Sequence, residues 1–411
     1  MATGDGKRNR SNLLNVRLEY EGKKTRAEIL SSEPESFEKI VSNSGENRLY
    51  FGENGDALRN LLRDKNVHGK VNLAYIDPPY ASQVSYASRN QTHAYDDLHE
   101  GKEYIEFLRE RLILIHELLS SEGSIYVHID DRMSSYVRIL LDEIFGPSNF
   151  RREIVRKKCN PKNFTSKNFG NTTDRILFYT KSAKYVWNRP FELWTDERAL
   201  KEYTYVEPET GRRFKKVPVH APGVRKGATG GKWRGMLPPK GKHWQYAPET
   251  LDEMDKRGEI FWSSNGNPRR KVYFDESQGV AVQDVWLDFK DPHNQNIFIT
   301  GYPTEKNPDI LRRIISASSN EGDLVLDCFA GSGTTLAVAQ ELGRTWIGVD
   351  NSEESIRTIW KRLVQGMERM GDFREKKAPS QMVLDISEPK KLHQKSEFSL
   401  YARKGSKTKK L

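Results

Sequence analysis

The run Leu324-Val-Leu-Asp327, followed by Cys-Phe-Ala-Gly331-Ser-Gly333-Thr-Thr335, constrains the fold of this chain more than any other stretch. A short apolar strand breaks at an acidic residue into a glycine-rich turn, and a helix-like run continues to Leu342. Glycines at such a junction allow a tight turn and let a ligand approach the backbone beside a helix N-terminus. Thr345 to Val349 reads as the next strand and ends at Asp350. This alternation of strand, loop, helix and strand predicts a parallel α/β sheet. Two nucleotide readings fail in detail. A phosphate-gripping loop needs Lys directly after its last Gly, and Thr334 stands there. A dinucleotide fingerprint needs Gly or Ala three residues after its second Gly, where Leu336 stands. Asp327 would repel a pyrophosphate but suit a cationic amino group. Asp350 stands at the end of the next strand, where a carboxylate can take a ribose diol. An adenosine ligand with a positively charged, amine-bearing tail fits, and S-adenosylmethionine (SAM) is such a molecule.

A second motif lies upstream. Val71 to Ile76 is apolar enough for a buried parallel strand and stops abruptly at Asp77-Pro78-Pro79-Tyr80. Ligands of open α/β sheets bind outside the carboxyl ends of the strands. The two prolines stiffen the turn and leave carbonyls with no local N–H to claim them. A carboxylate, an exposed carbonyl and an aromatic face thus fall within four residues. An exocyclic amine on a flat base could donate one hydrogen to Asp77 and one to the Pro78 carbonyl while its ring stacks on Tyr80. By itself such a segment also has the less favoured reading of a rigid structural turn.

Around these motifs the pattern predicts a strand near Asn47 to Gly52 and a helix over Asp56 to Lys65. A long polar loop spans Ala81 to Glu100. A helix follows on Ile105, Leu108, Leu112, Ile115 and Leu119, then a strand over Ser124 to Ile129 and a helix from Arg132 to Phe145. The α/β alternation lapses after Phe150 and resumes with helices at Ile310 to Ala317 and Glu353 to Glu368. Five segments are expected: an arm at 1–45, a first catalytic part at 46–150, a basic mixed insert at 151–295, a second catalytic part at 296–370, and a basic tail at 371–411. A short strand is conceivable at Gln381 to Ile386.

Charge supports the division. The 411 residues carry a net charge of +10, yet Arg151 to Thr300 holds 29 basic and 18 acidic side chains, so the remainder is almost neutral. The same third holds six of the eight tryptophans. Positive charge with interleaved aromatics suits a polyanion with stackable bases; the alternative is a solvated basic surface around a tryptophan core. Two cysteines, Cys159 and Cys328, exclude a disulfide scaffold and a Cys-rich zinc site. No histidine spacing suggests a metal site. No apolar run is long enough to span a membrane, and the amino terminus lacks a secretory core. The chain reads as cytoplasmic, with no metal and no membrane partner.

The paired motifs carry a resemblance. Asp77-Pro78-Pro79-Tyr80 ahead of a basic insert, with Phe329-Ala330-Gly331-Ser332-Gly333 after it, resembles the permuted β-group of DNA amino-methyltransferases of prokaryotic and phage restriction–modification systems. The resemblance runs from about Asn47 to Leu363. It implies a Rossmann-like SAM-dependent methyltransferase fold, circularly permuted, with an inserted target-recognition domain. It implies cofactor contacts from Asp327, Phe329, Ala330, Gly331, Ser332, Gly333, Thr334 and Asp350, and from Asn54 toward the adenine. Pro303-Thr304-Glu305-Lys306 resembles the family element facing the methionine end of the cofactor, so Thr304 and Lys306 join the set. Asp77, Pro78, Pro79 and Tyr80 become the catalytic residues.

The implied activity is site-specific transfer of a methyl group from SAM to adenine N6 in double-stranded DNA by base flipping. A homodimer and a companion restriction endonuclease are implied partners. Asp at the first motif position favours adenine, with cytosine N4 as the near alternative. RNA or protein amide methylation, or an inactive DNA-binding regulator, are the competing classes. Methylation at cytosine C5 is disfavoured, because neither cysteine follows a proline. The runs Gly241 to Tyr246 and Asn265 to Lys271 are candidate DNA contacts.

Overall fold

The computed structural model describes residues 16–41, 45–79, 85–87, 93–96, 101–159, 167–289, 305–365 and 398–405. Two compact units emerge: Met1–Pro190 with Gln283–Leu411, and Phe191–Val282. The first is built on a ten-stranded sheet. Its strands, in chain order, are β1 (Phe37–Val41), β2 (Asn47–Phe51), β3 (Val71–Ile76), β4 (Leu119–Ile129), β5 (Phe150–Lys157), β6 (Thr173–Thr180), β7 (Val285–Trp286), β8 (Leu324–Asp327), β9 (Thr345–Asp350) and β10 (Phe398–Arg403). The spatial order is β1-β10-β2-β9-β8-β3-β4-β6-β5-β7. From β10 through β4 every pair is parallel. Only β1 and the β6 pairings are antiparallel. The mixed, mostly parallel sheet is that of a Rossmann-like domain, and the chain lays down β3 and β4 before β8 and β9.

The central strands are buried on both faces, so they read as apolar runs rather than alternating ones. Leu73, Ala74 and Ile76 of β3 and Val325 and Leu326 of β8 are fully shielded from solvent. Helix α1 (Asn54–Arg63) starts where the Glu53 side chain accepts from the Asp56 N–H. Helix α2 (Gly101–Leu118) buries Leu108, Leu112 and Ile115 in the core. Helix α3 (Ser134–Phe145) stops at Gly146, whose φ of 84° suits glycine, with Pro147 next. Helix α4 (Pro308–Ser318) has Asn307 as its cap and Pro308 at its first position. Helix α5 (Thr334–Glu341) follows the glycine turn, and α6 (Glu353–Trp360) is capped by Ser352.

The unit Phe191–Val282 is antiparallel, with a four-stranded sheet ordered Tyr205–Val206, Arg213–Pro218, Pro268–Tyr273 and Ile260–Trp262. Its core gathers Val219, Trp233, Trp244, Leu251, Met254 and Ile260. Trp233 stacks on Trp262 at 5.3 Å between ring centroids and meets Trp244 edge-on at 5.7 Å. These tryptophans therefore serve packing, the alternative the sequence left open.

The structure draws the divisions differently from the sequence reading. Residues 150–180 supply β5 and β6 to the main sheet, so the second unit is narrower than the expected insert. The reason is that β6 pairs with β4 over six residues, a contact no local pattern signals. The arm contributes a six-residue helix, Arg26–Ser31, and β1, and the tail contributes β10, inserted between β1 and β2. The strand conceived at 381–386 lies outside the described residues. Among the described residues no helix is long and apolar enough to cross a membrane, and no cluster of side chains could hold a metal ion.

Candidate active site

Strands β3 and β8 lie side by side and parallel. The chain leaves β3 toward β4 on one side, while β8 leads to β9 on the other. Adjacent strand ends whose connections diverge form a crevice, the usual ligand position in an open sheet. Asp77, Asp327 and Asp350 follow or end three of these strands and are close enough that the first and third raise the proton affinity of the second.

Asp327 is buried, and burial pushes its pKa up to about 7 against hydrogen bonds from Thr335 and the Phe329 N–H, the latter 3.0 Å long. Asp350 is pushed up to about 6 by burial, although its two oxygens accept from Gly331 N at 2.8 Å and Ser352 N at 2.9 Å. Gly331 and Gly333 adopt φ of 50° and 72°. A Cβ on Gly333 would fall 2.7 Å from Cγ1 of Ile359, so this position excludes any side chain. Ser355 Oγ donates to the Gly331 carbonyl at 2.6 Å.

Arg362, just beyond α6, completes the loop. Its Nη1 donates to the Ser332 carbonyl at 2.7 Å and to Thr334 Oγ1 at 2.8 Å. Its Nη2 forms a buried ion pair with Glu305. The next residue, Lys306, places Nζ 2.7 Å from Asp77 Oδ2, with both side chains largely buried. The dipeptide Glu305-Lys306 thereby fastens the glycine loop with one side chain and the Asp77 turn with the other. Asp77 Oδ1 is buried and has no hydrogen-bond partner. A buried unpaired carboxylate oxygen is costly unless a ligand supplies the donor.

Asn54 is buried. Its Nδ2 donates to the Cys328 carbonyl at 2.9 Å and its Oδ1 accepts from Arg111 Nε at 2.9 Å. Both ends of the amide are thus engaged in tying α1 to the loop. The Cys328 thiol is buried and its pKa is pushed up by that burial, which suits packing rather than chemistry. Beneath the Asp77 turn, the Tyr75 hydroxyl lies 2.8 Å from His128 Nδ1, and Asp174 lies 3.4 Å beyond the other ring nitrogen. His128 is a fully buried core histidine, and burial lowers its pKa.

The structure thus gathers Asp77, Lys306, Asp327, the Phe329–Thr334 loop, Asn54 and Asp350 at one edge of one sheet. Tyr80 and Thr304 lie outside the described residues. Sequence reasoning missed Glu305, Arg362 and Arg111. A signal existed for Arg362: it falls on the same helical stripe as the buried Ile356 and Ile359, and an arginine on an apolar stripe needs a buried partner.

The site fits an adenosine ligand with a cationic tail. Two carboxylates with proton affinity raised by burial are restored to their ionised form by a positive charge. The open glycine turn precedes a helix N-terminus. Fold and site together define a SAM-dependent methyltransferase domain. A profile for DNA methylases of the N6/N4 type matches residues 71–361, and the chain belongs to that family. It is 46% identical to the type II methyltransferase M.EcaI of Enterobacter cloacae over 380 residues, covering 90% of this chain and 83% of that one. It is 28% identical over 313 residues to the DNA adenine methyltransferase YhdJ of Escherichia coli K12, covering 75% and 81%. The crystal structure of the M1.HpyAVI–SAM complex superposes with a TM-score of 0.42 at 18% identity, covering 77% of this chain and 98% of that chain. SAM is the methyl donor of this family and the cofactor of this chain.

Proposed function

We propose that the protein transfers a methyl group to adenine N6 within a specific site of double-stranded DNA, on a base flipped out of the duplex. The carrying observation is Asp77 Oδ1, buried and unpaired beside an Oδ2 held by Lys306. The adenine amino group is a weak nucleophile because its lone pair is delocalised into the ring. Accepting one N–H at Asp77 and the other at the Pro78 carbonyl favours a pyramidal nitrogen with a free lone pair. Tyr80 offers the ring face on which the base stacks. Lys306 holds Asp77 Oδ2 in an ion pair, which leaves Oδ1 to accept from the amine. SAM, when bound, supplies an electrophilic sulfonium methyl. The residues of the glycine loop, with Asp327 and Asp350, hold and orient it, and positioning accounts for much of the rate. The target amine is otherwise paired inside the duplex, so the base must leave the stack.

The unit Phe191–Val282 is assigned to target recognition. A place in a restriction–modification system, with a companion endonuclease and a homodimer as the assembly, follows from the motif resemblance in the sequence. The deciding experiment is transfer of labelled methyl from SAM to mixed-sequence duplex DNA, followed by digestion and mass analysis of nucleosides. N6-methyladenosine is expected, and sequencing of modified positions gives the site. N4-methylcytosine would reverse the base assignment while keeping the site chemistry. Absence of any methylated nucleoside would overturn the proposal.

A further inference from the structure

The basic excess of the middle third is unevenly placed. Residues 151–190 carry eleven basic and two acidic side chains, whereas residues 191–282 carry seventeen and thirteen. The first group belongs to the unit that holds Asp77. Within it, Ile154 to Thr173 contains five basic residues and no acidic one. The run includes the end of β5 at Lys157 and the start of β6 at Thr173. Because β4 is parallel to β3, and β6 is antiparallel to both β4 and β5, both junctions lie on the sheet edge that bears Asp77. Neighbouring strands are about 4.8 Å apart, so β6, two strands from β3, lies roughly 10 Å from it.

The neck of this excursion is clamped. Lys158 N donates to the Thr172 carbonyl at 2.9 Å, and Lys158 Nζ pairs with Asp174 at 2.9 Å. Asn171 Nδ2 donates to Asp131 Oδ1 at 2.7 Å, two residues past the end of β4. From this neck Phe169 projects with 97% of its surface exposed, more than any other large hydrophobic side chain among the described residues. Its neighbours Lys167, Asn168, Gly170 and Asn171 are polar or side-chain-free, and Lys167 to Gly170 are all exposed. A protein-docking surface requires a contiguous apolar patch. One aromatic ring among cations and amides matches a different partner: a stack of bases between phosphate strands.

We propose that Phe169 is a wedge that enters the DNA stack beside the target base and holds the gap open while that base occupies the Asp77 site. Lys157 and Lys167 flank the wedge and meet phosphates. Phe169 is a positioning residue, since it touches neither the reacting nitrogen nor the methyl group. The inference rests on the base-flipping reading above.

The test uses the full chain and a duplex whose site the wild-type protein methylates. The same duplex with an abasic position opposite the target base serves as the second substrate, because there the base is already unpaired. Phe169→Ala is expected to lose about tenfold or more in kcat/KM on the paired duplex and to stay within about twofold of wild type on the abasic one. Phe169→Trp is expected to restore activity on the paired duplex. SAM affinity and thermal midpoint should be unchanged, as the side chain is exposed. Wild-type activity of Phe169→Ala on paired DNA would overturn the wedge, and so would an equal loss on both substrates. If the wild-type protein methylates no duplex DNA, so that no such site can be chosen, the function reading itself falls, and the wedge with it.

Discussion

In the loop after β8, the polar atoms around the turn are bonded within the protein. Asp327 takes the Phe329 N–H, Asp350 takes the Gly331 and Ser352 N–H groups, and Arg362 takes the Ser332 carbonyl. In the turn after β3, Asp77 has one oxygen paired to Lys306 and one buried oxygen with no partner. The two loops sit on adjacent strands and are built from similar residues, yet one is internally satisfied and the other is left incomplete. A cofactor site gains from a preformed cradle, because rigidity lowers the ordering cost of binding. A substrate site gains from groups whose hydrogen bonds form only with the reacting atoms, because those interactions act on the transition state. The contrast predicts that mutations in the two loops fail in different ways.

The largest effect should come from Asp77→Asn. It removes the carboxylate charge from the acceptor loop and leaves the cofactor loop intact. Methyl transfer is expected to fall by roughly 10²–10³-fold or more, while SAM binding by calorimetry changes by only a few fold. Near-normal turnover, or loss of SAM binding alongside transfer, would erase the distinction between the loops.

Arg362→Met tests the cofactor side. It removes the buried cationic partner of Glu305 and the donor to the Ser332 carbonyl and the Thr334 hydroxyl. Removing one partner of a buried ion pair costs about 3–5 kcal/mol, so denaturant unfolding should show a loss of that order and SAM affinity should drop. The double variant Arg362→Met, Glu305→Gln should regain part of the stability, since Glu305 and Arg362 are directly coupled. A stability equal to wild type in the single variant would show that the loop does not depend on this pair.

The smallest effect concerns pH. Asp327 titrates near 7 and Asp350 near 6, both above the usual 3.8, because burial penalises their charged forms. In the window between those values and 3.8 the folded protein binds more protons than the unfolded chain. These groups therefore make the ligand-free protein less stable as pH rises through the window, and add no further change above it. A cationic ligand favours the ionised carboxylates, so SAM affinity should strengthen several fold between about pH 5.5 and 7.5. Asp327→Asn should flatten that rise. A pH-independent affinity in the wild-type protein would show that these carboxylates do not face the positive charge of the ligand.

The second unit offers a parallel contrast. Its tryptophans looked equally suited to stacking on bases or to building a core, and sequence could not choose between them, because burial is a property of what packs around a ring. The structure places Trp233 and Trp244 inside. The charge count was similarly coarse. Summed over the middle third it pointed to one basic insert, but much of the excess lies on the stretch around β5 and β6, which pair into the main sheet.

What the sequence determined by itself is what local chemistry fixes. Val71–Ile76 and Leu324–Asp327 are strands because their apolar residues suit burial on both faces, and each ends where an acidic residue meets a turn of prolines or glycines. The helix limit at Gly146 follows from backbone preference alone, while the helix expected from Ile310 begins two residues earlier, at Pro308. The tertiary structure alone decided which of these pieces are neighbours. The tail strand Phe398–Arg403 slots between β1 and β2, Lys306 reaches Asp77, and Arg362 reaches both Glu305 and the glycine loop. Each of those contacts joins residues far apart in the chain. No local pattern signals them, because closing such long loops costs chain entropy that only burial shared by the whole domain offsets.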